Sequence, residues 1–188
     1  MKLLVTQMQN QDPLNPMDNA QITTQLAQIS TVSGINQLNQ SVQTLLSSNM
    51  DTQTLQAASL MGKSVLAAGA NVDLLGGVAK AGLNLPSNAD SVTVTIKDAA
   101  GSTVKSLSLG ALQSGIQTFN WDGKMDNGAS APDGKYSISV AASQAGASVA
   151  ATTLTVGTVS SVARDTSGVS VKLGDLGNVA LADIKQIL

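Results

Sequence analysis

Histidine, cysteine and glutamate occur nowhere in the 188 residues. Without His or Cys there is no Ser-His-Asp or Cys-His nucleophile, no imidazole metal ligand, and no side chain that titrates near neutrality unless perturbed. Acid–base work would fall to Asp alone. The twelve acids are all Asp, and most stand beside Gly, Pro, Asn or Ser, where Asp serves as a turn former. Judged by what an active site requires, the sequence points away from an enzyme and calls for no cofactor. The missing cysteine also excludes disulfides and thiolate metal sites, without fixing the compartment.

Charge and aromatics are scarce as well. With a net charge of -2, a pI near 4.8 and Arg164 as the lone arginine, no basic cluster exists to neutralise a phosphate backbone, so nucleic acid is not an expected partner. The apolar run Met1-Lys2-Leu3-Leu4-Val5 is too short for the core of a signal peptide, and no run approaches the ~20 residues of a membrane span. Export, if it occurs, is expected without the usual cleaved signal. Phe119, Trp121 and Tyr136 are the only aromatic residues, so cores elsewhere must be thin and built from Val, Leu, Ile, Met and Ala. Short β-branched runs separated by Gly, Ser, Thr, Asn and Gln make a mainly β body the expectation.

The longest coherent pattern lies ahead of that body. Between Asp18 and Asp51 there is no charged residue, yet apolar residues recur at Ile22, Leu26, Ile29, Val32, Ile35, Leu38, Val42 and Leu45. Steps of three and four predict an α-helix from Asp18, as N-cap with Gln21 in the capping-box position, to about Gln56. We expect a narrow stripe on one side, closer to a coiled-coil seam than to a broad globular face. The outer face is Gln, Ser, Thr and Asn, with no ion pairs to support the helix alone. Burying the eight stripe residues would contribute on the order of 10 to 20 kcal/mol as an upper bound, enough to order the helix against a surface. That surface is either the chain's own β body or another copy or partner. Met1 to Gln11 has enough apolar residues for a short helix, which Pro13 and Pro16 end.

After Gln56 the period becomes that of strands. Strands are expected around Ser64-Val65-Leu66, within Val78 to Leu85, over Ser91 to Lys97, over Thr103 to Leu109 after the turn Asp98-Ala99-Ala100-Gly101, and over Ile116 to Trp121 paired with Lys135 to Ala141. Ser148 to Val156, Val159 to Ala163, Val169 to Leu173 and Val179 to Leu181 follow, and Asp183 can cap a last helical turn, Ile184 to Leu188. The strands before Pro86 cannot close a sheet alone. The expected solution is that Leu60 to Leu85 joins Thr152 to Leu188 in one small barrel, with a sandwich inserted between.

Two loops invite sharper readings. Trp121-Asp122-Gly123-Lys124-Met125-Asp126-Asn127-Gly128 superficially suits calcium, but Lys124 occupies a ligand position and no Glu exists to close the site, so turn chemistry is the preferred account and no metal is assigned. Trp121 is expected to anchor the sandwich core. Asn71 to Gly82 matches no phosphate-loop pattern and reads as a flexible connection.

The run from Leu3 through Gln11-Asp12-Pro13-Leu14-Asn15-Pro16 to Asn19, continuing through Gln25 to Val32, closely resembles the signature of the bacterial flagellar hook-capping family, also called basal-body rod modification proteins. Phe119-Asn120-Trp121-Asp122-Gly123 and Pro132-Asp133-Gly134-Lys135-Tyr136 resemble the same family's Ig-like part. The resemblance implies a mainly β fold with an α-helical N-terminal arm (1–57) and a tudor-like barrel (58–85 plus 152–188) interrupted by a fibronectin III or Ig-like domain (86–151). It implies export by the flagellar type III apparatus and a cap, pentameric in the family picture, at the distal end of the growing hook, where hook subunits fold and insert. The cap is absent from the finished structure. Family members usually carry a Phe-containing export motif ahead of the segment matching Lys2-Leu3-Leu4, and Met1 opens this sequence without it. The alternative is a secreted Ig-like adhesive module or filament subunit.

Overall fold

The computed structural model describes residues 17–165 and 168–188, which hold one helix, twelve strands, two short 3-10 turns and the loops between them. The short helix expected over 1–11 and the turn Gln11 to Pro16 lie outside them. The chain divides into two units with the border after Asn49.

Helix α1 spans Met17–Ala58, 42 residues. Asp18 is therefore its second residue rather than its N-cap. Its polar face satisfies part of itself: Thr31 Oγ1 donates to Ala27 O at 2.8 Å, Ser41 Oγ to Gln37 O at 2.9 Å and Thr44 Oγ1 to Gln40 O at 3.0 Å. Such bonds quiet hydroxyls that otherwise compete with the helical backbone. The last turns belong to the second unit, where Ala57 is buried with Leu60 and Asp51 pairs with Arg164.

The second unit holds two sheets. The seven-stranded sheet runs β11 (Gly177–Ala180), β10 (Gly168–Leu173), β9 (Thr152–Asp165), β1 (Ser64–Ala68), β12 (Ile184–Ile187), with β3 (Ala79–Leu85) on β9 and β6 (Gly115–Trp121) on β3. It is nearly closed and barrel-like. The five-stranded sheet runs β2 (Asn71–Leu74), β7 (Gly134–Gln144), β4 (Ala89–Lys97), β5 (Thr103–Leu112), with β8 (Ala147–Val149) on β7. One core gathers Leu83, Leu85, Val92, Val94, Ile96, Trp121 and Ile138, and a second, smaller one gathers Val65, Ala67, Val159, Val171 and Leu173. Val92, Val94 and Ile96 are fully buried, as strict alternation requires. No helix among the described residues is long and apolar enough to cross a membrane.

Several expectations need correction. Asn71 to Gly82 is not a flexible connection but the β2–β3 hairpin, in which Val72 and Leu74 are buried while Gly76 and Gly77 take φ of 60° and 76° to make the turn. β6 and β7 do not pair with each other; β6 pairs with β3, and β7 with β4, β2 and β8, because the loop between them carries the chain from one sheet to the other. β9 is one strand of 14 residues that does not stop at Gly157. That glycine marks a close approach instead, since a Cβ there would lie 3.0 Å from Leu173 Cβ. Leu181–Asp183 forms a 3-10 turn, and Ile184–Ile187 is a strand that fills the second edge of β1, whose Val65, Leu66 and Ala67 are fully buried. β1 and β9 join the early and late segments in one sheet as expected, while β2 and β3 also pair with β7 and β6 of the inserted segment.

Candidate functional site

The eight stripe residues are all on α1 and all exposed, from 51% at Ile35 to 69% at Leu45. Leu46, which the stripe omitted, is 60% exposed. Their arrangement differs from the expected single seam. In a continuous helix each residue advances by about 100°, so Ile22, Leu26 and Ile29 fall within about 60° of one another. The successive steps of three through Val32 and Ile35 to Leu38 each turn the stripe back by about 60°. Leu38, Val42 and Leu45 consequently face the opposite side, flanked by Ile35 and Leu46. The apolar residues therefore do not gather on one side of the helix. A coiled coil following this drift would need a pitch far shorter than the ~140–210 Å of two-stranded coils. The helix presents two exposed apolar patches in succession, on opposite sides.

The second group of candidate residues is the loop region of the sandwich. Phe119, Trp121 and Tyr136 are buried, and the Trp121 and Tyr136 rings meet edge to face at 4.9 Å. Trp121 Nε1 donates to Lys124 O at 2.9 Å, and Tyr136 Oη donates to Pro132 O at 2.7 Å. The polar tips of both rings thus hold the loop that separates them. Gly123, at φ 68°, passes beneath Gly77, and its carbonyl accepts Ala131 N–H at 2.7 Å.

The carboxylate and amide side chains of that loop bind backbone. Asp122 Oδ1 accepts Lys124 N–H at 3.1 Å and Asn127 Oδ1 accepts Ala129 N–H at 3.0 Å. Asp126 Oδ2 accepts Ser106 N–H at 3.1 Å while its own N–H donates to Val104 O at 2.9 Å, and Lys105 Nζ lies 3.2 Å from Asp126 Oδ1. The loop tip therefore covers part of the outer edge of β5, a position where an open strand invites unwanted pairing. Sequence reasoning named Asp133 within a motif but missed its role: its two oxygens accept the N–H groups of Gly76 and Gly77 at 2.9 and 3.2 Å. Nothing local signals a partner 57 positions away.

Comparisons with known proteins cover both regions. Residues 1–44 match the family model of the flagellar hook capping protein N-terminal region, and residues 69–146 match the FlgD Ig-like domain. The basal-body rod modification protein FlgD of Escherichia coli K12 is 39% identical over 196 residues, covering 99% of this chain and 84% of the relative. Among solved structures, FlgD of Xanthomonas campestris, whose hook capping is described as essential for flagellar assembly, has a TM-score of 0.61 at 35% identity, over 72% of this chain and 99% of the other. FlgD of Pseudomonas aeruginosa has a TM-score of 0.59 at 30% identity, over 69% and 98%. The N-terminal match carries the signature residues Gln11 to Pro16 and most of the apolar stripe, and the Ig-like match carries Phe119, Trp121, Asp122, Gly123 and Tyr136. The chain belongs to the flagellar hook-capping family, that of the basal-body rod modification protein FlgD.

Proposed function

We propose that this chain is an assembly scaffold that caps the distal end of the growing flagellar hook, promotes the folding and insertion of hook subunits, and is absent from the finished flagellum. The observation that carries this reading is a 42-residue helix that displays its large apolar residues to solvent and carries no charge between Asp18 and Asp51, in a chain of the hook-capping family. An uncharged helix can lie beside identical copies without like-charge repulsion. The adhesive-module alternative finds no support in the relatives, which bear the name of a rod modification protein throughout.

In this reading the protein is not an enzyme. The helical arm (1–57) self-associates through Ile22, Leu26, Ile29, Val32, Ile35, Leu38, Val42 and Leu45, with a pentamer as the family picture suggests. The β unit forms the plate of the cap as a tudor-like barrel (58–85 plus 152–188) carrying a fibronectin III or Ig-like domain (86–151), with the β2–β3 hairpin crossing the border between them. Partners are further copies, hook protein subunits and the type III export apparatus, and the site of action is the extracellular hook tip.

Immunogold labelling of this chain on cells with growing hooks tests the proposal. Label confined to hook tips, and lost once hooks are complete, is expected; label along the hook shaft or filament overturns it.

A further inference from the structure

Asn127-Gly128 is the only Asn-Gly pair in the sequence. In such a pair the backbone nitrogen after the asparagine is open to attack the side-chain amide, because glycine has no Cβ to shield it. The pair lies at the tip of the loop between β6 and β7, and its chemistry goes beyond the capping role.

The tip is exposed from Asp126 to Ser130, so water reaches it. It is also tied down. Lys124 and Ser130 form a bridge, Met125 N–H donates to Ala129 O at 2.9 Å and Gly128 N–H donates to Met125 O at 3.0 Å. Gly128 has φ of 85°, the left-handed position that follows a type I turn in a three-residue hairpin loop. Asn127 Oδ1 accepts Ala129 N–H at 3.0 Å. In the closed tip the nucleophile, Gly128 N, and the electrophile, the Asn127 amide, are therefore each held by another partner. Asp126 fastens the whole tip to β5 through Ser106 N–H, Val104 O and Lys105 Nζ.

We infer that Asn127 is a gated modification site, converted to aspartate and isoaspartate when the tip opens, and that the isoaspartate form uncovers the edge of β5. In the open tip Gly128 N bonds to Asn127 Cγ, the Cγ–Nδ2 bond breaks, and ammonia leaves with the proton of the Gly128 amide, giving a cyclic imide. Water then opens the ring at one of its two carbonyls. Opening at Cγ leaves aspartate in an unaltered main chain, with a side-chain oxygen that still accepts Ala129 N–H. Opening at the main-chain carbonyl leaves isoaspartate, in which the chain runs through Cγ and is longer by a methylene. That extra atom falls inside the turn from Met125 to Gly128, so Gly128 N–H and Met125 O lose their register, and Asp126 loses its alignment on Val104 and Ser106. Two backbone groups of β5 then face solvent on a strand edge that invites pairing with another chain.

Peptide mapping by mass spectrometry of the full chain, held folded in mildly alkaline buffer, tests this. Conversion with both acids formed is expected at Asn127 ahead of every other asparagine of the β unit. The blocked peptide Lys-Met-Asp-Asn-Gly-Ala-Ser, free of the ties to β5, should convert at least about fivefold faster than the chain, the effect of one such hydrogen bond. Asp126→Ala releases Ser106 and should speed conversion in the chain about fivefold, while the same change in the peptide leaves its rate nearly unaltered. In the isoaspartate form hydrogen exchange at Ser106 should quicken, with the amides of β4 and β7 still protected as the sign that the β unit is folded. Equal rates in chain and peptide, an Asn127 that outlasts other asparagines of the β unit, an unchanged rate in Asp126→Ala, or unchanged exchange at Ser106 after conversion would each overturn the inference. Since none of these readouts involves hook-tip labelling, failure here leaves the capping role untouched.

Discussion

Trp121 and Tyr136 lie on strands of different sheets, and their rings meet at 4.9 Å with an interplanar angle of 81°. In a chain with three aromatic residues this contact is the centre of the larger core. Trp121→Ala removes the ring, its edge-to-face partner and the bond to Lys124 O, and should cost about 3–5 kcal/mol. Trp121→Phe keeps much of the packing and loses the hydrogen bond, so about 1–3 kcal/mol is expected, mainly because Lys124 O is left without that donor. Urea unfolding of the β unit measures both; a loss below 1 kcal/mol for the alanine variant contradicts the assignment.

The clasp of Asp133 on Gly76 and Gly77 predicts a local effect rather than global collapse. Its two bonds are exposed to solvent, so Asp133→Ala should lower stability by only about 1–2 kcal/mol. Hydrogen exchange should quicken at Gly76, Gly77 and Val78 while the amides of β4 and β7 stay protected. Unchanged exchange at the turn would show that Gly123 alone positions it.

Ala145 is the one non-glycine residue with positive φ among those described, at 49°, followed by Gly146 at 83°. It occupies the β7–β8 turn, with its N–H donated to Asp90 Oδ2 at 2.8 Å. Two successive positive φ values are the geometry of a type I′ turn, which favours Asn-Gly. Ala145→Asn keeps the N–H and relieves the left-handed penalty, so a gain of about 0.5–1 kcal/mol and a rise in melting temperature of about 1–4 °C are expected. Calorimetry decides, and a lowered melting temperature would mean that the Asn side chain disturbs the Asp90 contact.

How far the fold could be read in advance depended on how far each signal reached. Val92, Val94 and Ile96 alternate cleanly because one side of β4 is a core wall, and Asp98 to Gly101 supplied an unmistakable turn. β2 escaped because two apolar residues beside a pair of glycines resemble a linker until β7 is known to be available. Ile184 to Leu188 read as a helical turn because Asp183 could cap it, whereas the open edge of β1 decided the matter. The fastening of Gly76 by Asp133 was out of reach, since it joins turns far apart in sequence. The α1 stripe was visible residue by residue, and its error lay in counting steps without summing the rotation that consecutive threes accumulate.

That rotation yields the prediction that bears most directly on assembly. If the two patches of α1 meet different neighbours, Leu26→Asp with Ile29→Asp and Leu38→Asp with Leu45→Asp should each abolish oligomers, measured by light scattering, yet do so by removing different contacts. Buried charge without a partner is costly enough for either pair to suffice. The absence of cysteine in the native chain makes a finer test clean. Single cysteines at Leu26 and at Val42 each give a background-free cross-link to whatever lies within reach, since a disulfide requires Cα atoms within about 7 Å. Two patches serving two neighbours predict that cysteine at Leu26 and cysteine at Val42 in separate copies do not cross-link to each other within one assembly, although one or both link to a like position. Efficient linking of Leu26 to Val42 between copies would show that the two patches meet each other, and that the helix packs as a staggered chain of unlike contacts instead.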